Sequence, residues 1–523
     1  MTELWREKIC LALAVLAKIG RKTMTRSGVS VSLPAPVGGL NARDALAGMK
    51  SSDAIQLENW FPDGDRLRLR DGYALHATLP AGGEVESLLM WRGVSGSRLL
   101  AAAAGSICNV TAQGTGDVLM SGLASSRWQG IQFGGRLIML NGEDAPLSYD
   151  GNTLSAAGFT LAEGHDVGDL IGVLPFKGRL YFVEKGSAIF WYADAGAVTG
   201  ALTGFDLSQV AQHGGHIAAL GSWSTDAGSG LDDFFVAVME SGEILIYQGS
   251  YAGSLEDWSL VGSFMASPPI GRRCLAKFGG ELVLLTRSGY VPLSSVMDGS
   301  DDAISTSAWD RIRRLAQDMA QTYGAGVGWQ VLAHQGVGYF NIPVVPGNTY
   351  EQHVINTATG AWTKFTGIPA RCFCSTGEAL YFGGGQGQVF LMGGADDNGE
   401  SLVAVAKSAY SRLSRQGVKH VTAIRPIVDV QGAVSGSIAV LADYTERPVP
   451  AGMHQFRQSA SGVEWDTAEW DDASWGDPPT PAGEWVSASG MGRSFAVRLE
   501  VRAMAQTLGW HATEILYQPG GLR

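Results

Sequence analysis

Charge is scarce in this chain. Asp, Glu, Lys and Arg make up 17% of its 523 residues, against the ~25% usual in soluble proteins. Hydrophobic residues hold an ordinary 45%, which excludes disorder, because disorder needs low hydrophobicity and high charge. Cysteine is scarcer still, with Cys10, Cys108, Cys274, Cys372 and Cys374 and no CxxC pair. Cys372 and Cys374 form a CxC on an alternating stretch, which aims the two thiols at opposite faces of a strand. The expectation is reduced thiols in a protein made in a cytosol, not a disulfide framework.

Long apolar runs are missing as well. The stretch Ile9–Ala17 falls short of the ~20 residues that cross a bilayer. Lys18, Arg21 and Lys22 follow it where a signal peptide would have a small-residue cleavage site. Residues 1–24 are therefore set apart as an N-terminal extension, either an amphipathic helix or codons upstream of a start at Met24. Positive charge is in deficit, with 38 Lys plus Arg against 50 Asp plus Glu and a net charge of −12. A protein that grips nucleic acid by its phosphates is normally basic, so sequence-reading of DNA is not expected. A surface past which DNA slides without sticking would instead be neutral or acidic.

Catalytic and metal motifs are absent too. There is no GxSxG, no HExxH and no Ser/His/Asp set with triad spacing. QHGGH places His213 and His216 three apart, with Asp206 and Asp226 near in sequence but no third ligand fixed. GGGQG at Gly383–Gly387 lacks the Lys-Ser/Thr and the helix of a phosphate cradle. Asp232 and Asp233 are adjacent, and adjacent acids in a strand point apart. STDAGSGL from Ser224 departs from the Asp-box turn of sialidases at its Thr and Trp. No catalytic residue, cofactor or metal is assigned, and the chain is expected not to be an enzyme.

Glycine is what the chain has in excess, 71 residues, about twice the ~7% average. These glycines have no three-residue period, which excludes collagen, and a helix interior loses about 1 kcal/mol per Gly, which excludes a long helical bundle. A turn-rich, mainly β chain remains. From Val85 to Met392 an apolar run, a Gly-containing turn and a second apolar run recur, most clearly in QFGGRLIMLNG, PFKGRLYFVEKG and KFGGELVLLTRSG. Anchors at Leu99, Leu137, Leu180, Ile244, Leu282, Tyr339 and Leu380 are spaced by 38, 43, 64, 38, 57 and 41. Repeats of ~40–50 residues, each a small antiparallel sheet, indicate an irregular β-propeller over 85–394 with insertions. Trp309, Ile312, Leu315, Ala316 and Met319 have helical spacing, so a helix insert is expected near 306–323, capped by Ser307 or Asp301 and stopped at Gly324.

Outside the repeats the chain divides further. Residues 25–84 are expected as an extended β segment. In DRLRLRDG, Arg66, Arg68 and Arg70 share one strand face and Leu67 and Leu69 the other, with Trp60 and Phe61 anchoring the strand's start. The Arg row is open to two readings, pairing with carboxylates or guarding an edge strand. After Gly394 a linker-like AlaAspAspAsnGly run leads into 395–523, where alternating strands suit a β-sandwich. Within it Trp465, Trp470 and Trp475 recur every five residues, which suits anchors on a loop rather than a helix or strand. Trp60, Phe61, Arg66, Arg68, Arg70, Trp465, Trp470 and Trp475 are the candidate assembly-interface residues.

Three stretches carry a family resemblance. APVGGLNARDALAGMKSSDAIQLENWFPDGDRLRLRDGY (Ala35–Tyr73) resembles the opening of virion proteins of short-tailed bacteriophages. WDTAEWDDASWG with GRSFAVRLEVRAMAQTLGWHATEILYQPGG is similar to their closing segment, and NTATGAWTKFTG from Asn356 matches a turn-plus-Trp element of their central region. The family is the tail nozzle, or tail tube, of podoviruses. The resemblance implies a homohexameric ring on an irregular propeller, docked below the portal and adaptor rings. It further implies passage of double-stranded DNA without sequence recognition, contacts to tail fibres or spikes and to a needle or plug, and a place in the virion tail. A carbohydrate-binding or glycan-degrading propeller is the alternative reading.

Overall fold

The structure, a computed structural model, describes residues 28–94, 96–226, 231–254, 256–297, 308–345, 349–413, 416–446, 454–457 and 483–520. Its strands reverse where the sequence places glycine. Gly134 and Gly135 both have positive φ (56° and 76°) in the two-residue turn between Gln129–Phe133 and Arg136–Leu140. Lys177–Gly178 (44° and 75°) and Gln335–Gly336 (46° and 76°) do the same in two other hairpins. Two left-handed central residues make a type I′ turn, whose twist matches that of the flanking strands, and glycine adopts that φ without a Cβ clash.

Those hairpins build a ring. Among the described residues, seven successive small sheets have their first strands side by side: Val85–Gly93, Gln129–Phe133, Leu170–Phe176, Ile217–Asp226, Leu275–Phe278, Gln330–His334 and Cys372–Ser375. Each packs on the next, and the last packs on the first. The chain is mainly β, an irregular propeller of seven blades. Of the seven sequence anchors, six lie in the second strand of a blade; Ile244 lies in the third strand of its blade, Glu243–Gln248. Leu231–Met239 precedes that strand as another strong apolar run, so the Gly242 turn marks the wrong hairpin.

The seventh blade is closed by the other end of the chain. Its first three strands are Cys372–Ser375, Leu380–Gly383 and Gln388–Met392, and its fourth is Tyr73–Thr78, antiparallel to Gln388–Met392. Tyr73 meets the rings of Phe382 and Phe390 edge-on at 5.1 and 5.3 Å. The AlaAspAspAsnGly run is no loose linker. The Asp396 carbonyl accepts Tyr73 N–H (2.9 Å), the Asn398 side chain accepts Leu75 N–H (3.0 Å), and Asp397 takes both ends of the Arg70 guanidinium (2.8 and 2.6 Å). Arg70 also donates to the Asn59 side chain (2.9 Å) and to the Thr366 carbonyl (2.9 Å), with its own side chain fully buried.

Residues 25–84 thus do not stand as a separate segment. Val29–Pro34, Trp60–Asp63 and Arg66–Leu69 join Thr507–Pro519, Lys419–Gln431 and Val486–Gly492 in one sheet. Asp53–Glu58 joins the facing sheet beside Leu402–Ser408, Phe495–Ala503 and Ala433–Ala442. Alternation along Lys419–Gln431 buries Val421, Ile424, Val428 and Val430 against Ile438, Leu499 and Val501 of the facing sheet. This sandwich also continues the sixth blade, because Glu58 pairs with Lys364 in the strand Ala361–Thr366. The helix insert begins as a 3₁₀ turn at Ala308–Ile312 and continues as Arg313–Tyr323 up to Gly324. The expected caps Ser307 and Asp301 lie outside the described residues. Ile312, Ala316 and Ala320 are buried against the fifth blade, which has three strands among the described residues, and the helix lies beside the third of them. Among the described residues no helix is long and apolar enough to cross a membrane.

Removing one partner of a buried ion pair strands the other, at about 3–5 kcal/mol. Asp397→Ala is therefore expected to lower the urea midpoint by that equivalent and to speed hydrogen exchange in residues 73–78 before other blades. The paired Arg70→Met/Asp397→Leu change should cost less than the sum of its parts. A Cβ on Gly72 would sit 1.9 Å from the Asp396 carbonyl oxygen, so Gly72→Ala should open the same clasp in the same exchange experiment. The buried thiols of Cys274 and Cys372 are pushed up to about 12 and about 11, and that of Cys374 to about 12, in each case mainly by burial. Alkylation requires thiolate, so at pH 8 these three should react at least ~10-fold more slowly in the native chain than in denaturant, read by peptide mass mapping.

Candidate functional site

The sequence-predicted interface residues fall into three groups. Trp60 and Phe61 are buried, Trp60 with its ring 6.1 Å from that of Trp510. Arg70 is the buried clasp. These three work inside the subunit, because the strand Arg66–Leu69 is sandwiched between Trp60–Asp63 and Thr507–Pro519 rather than lying at an edge. Arg66 and Arg68 keep about a third of their side chains exposed, and both are paired, Arg66 with Asp429 (2.5 Å) and Arg68 with Asp71 (3.1 Å). Of the two readings of the Arg row, the structure adopts carboxylate pairing. Trp465, Trp470 and Trp475 lie outside the described residues.

The described parts of the stretches that carry the resemblance meet at one junction. Leu67 and Arg68 pair with Trp510 and Gly509. The Thr363 hydroxyl donates to the Trp60 carbonyl (2.5 Å), and the Asn356 side chain donates to the Pro62 carbonyl (3.0 Å). Trp362 is buried there, its indole N–H donating to the Ala308 carbonyl at 2.9 Å. The opening stretch thus shares one packed seam between ring and sandwich with segments some three hundred residues or more away in sequence.

The weak chemical constellations stay apart. His216 pairs with Glu240 (2.8 Å) and His213 faces Glu243 (3.5 Å), two separate contacts. Among the described residues no group of three or more His, Cys, Asp or Glu could hold a metal ion. Gly384 and Gln388 close a tight turn of the seventh blade (2.9 Å). Asp233 accepts from Ser224 (2.6 Å) and Lys177 (3.0 Å), which hold its carboxyl below the usual range.

A feature the sequence reading missed lies on the propeller axis. A cavity of about 290 Å³ is lined by first strands of the blades, among them Leu89, Gly130, Val173, Leu220 and Val331. It shares Gln129, Arg272 and Arg273 with a mouth of about 320 Å³ at the end where those strands begin. Four arginines gather there from three inter-blade junctions: Arg127, Arg272 with Arg273, and Arg371. Arg127 pairs with Glu86 (3.1 Å), and Arg371 pairs with Glu84 and lies 5.9 Å from the Tyr350 ring. The wall opposite is the Gly324–Gly328 backbone with Trp329, whose indole N–H donates to the Tyr323 carbonyl at 2.9 Å. A Cβ on Gly328 would sit 2.7 Å from the Tyr350 ring, so glycine lets the backbone close on that wall. The available sequence signal was a basic residue just before a blade's first strand, recurring at Arg127, Arg273 and Arg371.

No known protein family matches the chain, and no curated protein does. Among solved structures it is similar to BBS1N in complex with ARL6DN, at 9% identity and TM-score 0.38 over 62% of this chain and 98% of that one. It is also similar to Raptor from Chaetomium thermophilum, at 11% identity and TM-score 0.39 over 62% and 29%. The third is an exo-β-1,3-galactanase from Phanerochaete chrysosporium, at 8% identity and TM-score 0.24 over 73% and 95%. At these values none of the three likenesses carries an argument about this chain's function.

Proposed function

We propose that this chain is a structural subunit of the tail nozzle of a short-tailed bacteriophage. The observation that carries the reading is the convergence of the described parts of the three resembling stretches, from both ends and the middle of the sequence, on one seam between propeller and sandwich. Strings of structural residues that resemble a family only piecewise gain weight when they form one folded unit. In this reading six copies form a ring below the portal and adaptor, the subunit's outer surface offers a platform for fibres or spikes, and a needle or plug sits below. The work is mechanical and electrostatic. Double-stranded DNA passes without sequence recognition through a lumen that holds it weakly, in keeping with a net charge of −12 per subunit.

Mass photometry of the full chain, alone and mixed with the portal and adaptor of the same virion, tests this reading. A species of about six chain masses that joins the portal–adaptor complex is expected. A persistent monomer that depolymerises host polysaccharide would overturn the reading in favour of the glycan-active propeller. Electron cryo-microscopy of the ring supplies a second check, because a strongly basic lumen would contradict weak holding of DNA.

A further inference from the structure

Two guanidiniums lining the axial mouth, Arg273 half-buried and Arg272 open to solvent, have no carboxylate partner among the described residues. Arg273 spends one amino group on three neutral acceptors, the Glu86 carbonyl (3.0 Å), the Ser87 hydroxyl (2.8 Å) and the Trp128 carbonyl (3.0 Å). Arg272 donates to the Asn141 carbonyl at 3.0 Å. Among the described residues, no carboxylate lies within ion-pair distance of either. The nearby acids are already engaged, Glu86 by Arg127, Glu84 by Arg371 and Glu143 by Lys185 (2.8 Å). Two positive charges are therefore left over in a concave, partly dehydrated space. Arginine does not shed its proton to escape such a site; although the Arg272 side chain reaches solvent, the protein packed around it and the repulsion of Arg127 disfavour its charge. An anion from solution would relieve both.

We propose that this mouth binds a phosphoryl dianion, either free phosphate or a phosphomonoester, between Arg272 and Arg273 with Arg127 at the rim. Two uncompensated guanidiniums match a dianion in charge, and their planar forks match phosphate oxygens in geometry. A mouth of about 320 Å³ exceeds a bare phosphate, and the Trp329 and Tyr350 walls give an organic substituent apolar surface to cover. The site stands or falls independently of the nozzle reading, since it belongs to the axis of a single propeller.

Calorimetric titration of the full chain at fixed ionic strength in chloride tests it, with inorganic phosphate, phenyl phosphate and acetate as probes. Saturable phosphate binding is expected, with a raised thermal midpoint and no comparable effect of acetate. Arg272→Gln, which gives up a single bond to a backbone carbonyl, should weaken phosphate binding roughly tenfold or more. Arg127→Gln should weaken it several-fold, and Arg314→Gln on the exposed helix face should leave it unchanged. Phenyl phosphate binding more tightly than phosphate assigns the site to a phosphomonoester, and equal binding assigns it to free phosphate. Absence of saturation by 10 mM (roughly the millimolar limit of specific small-ligand affinity), equal response to acetate, or phosphate binding undiminished in both Arg272→Gln and Arg127→Gln would overturn the proposal.

Discussion

The buried guanidinium of Arg70 is the contact on which the rest of the architecture depends. A ring of small sheets has no covalent closure, and its last blade would otherwise present an open edge. Here the missing strand comes from Tyr73–Thr78, and it is Arg70, three residues earlier, that fixes where that strand begins. One side chain ties Asp397, just past the ring, to Thr366 at the end of the sixth blade and to Asn59 in the N-terminal segment. Charge alone would make such a pair costly to bury. The saturation of its donors by a carboxylate, a side-chain amide and backbone carbonyls is what makes the burial tolerable.

From that clasp the sandwich follows. Once residues 59–73 are held between the sixth and seventh blades, the strands before them are delivered to the sandwich and not to solvent. Trp60 and Leu67 then face Trp510, and Asp53–Glu58 bridges Lys364 of the sixth blade to Leu402–Ser408. The two layers are thus joined by a continuous sheet and a shared hydrophobic core, in place of a flexible tether. The helix Arg313–Tyr323 has a comparable role on the ring, covering the third and last described strand of the fifth blade.

How much of this was legible in the sequence depended on the range of the interaction. Two-residue turns such as Gly134–Gly135 are local, so the Gly pattern located the hairpins and six of the seven anchors fell in the same strand of their blades. The clasp is not local. Asp397 sits in a run whose composition reads as a linker, and nothing near it in sequence signals that its partner lies 327 residues away. The Arg row was legible as alternation, but which neighbours would cover each face was not, so buried Arg70 and half-exposed Arg68 looked alike. The axial arginines were hidden for the same reason, since a ring brings together residues that begin different blades.

Net charge is a poor guide to the potential inside a cleft. A chain of −12 invites the expectation of an anion-repelling surface everywhere, yet its one concave axis gathers Arg127, Arg272, Arg273 and Arg371 at a single mouth. Fields are focused in clefts with low-dielectric walls and screened over open surface within roughly 8–10 Å. The potential at the mouth is therefore set by the few groups lining it, two of them without acidic partners among the described residues, and hardly by the excess acids distributed elsewhere on the chain. In the proposed ring, a lumen shared by many subunits and an axis formed by one would be separate surfaces, so a weakly repulsive lumen and a receptive axis are compatible.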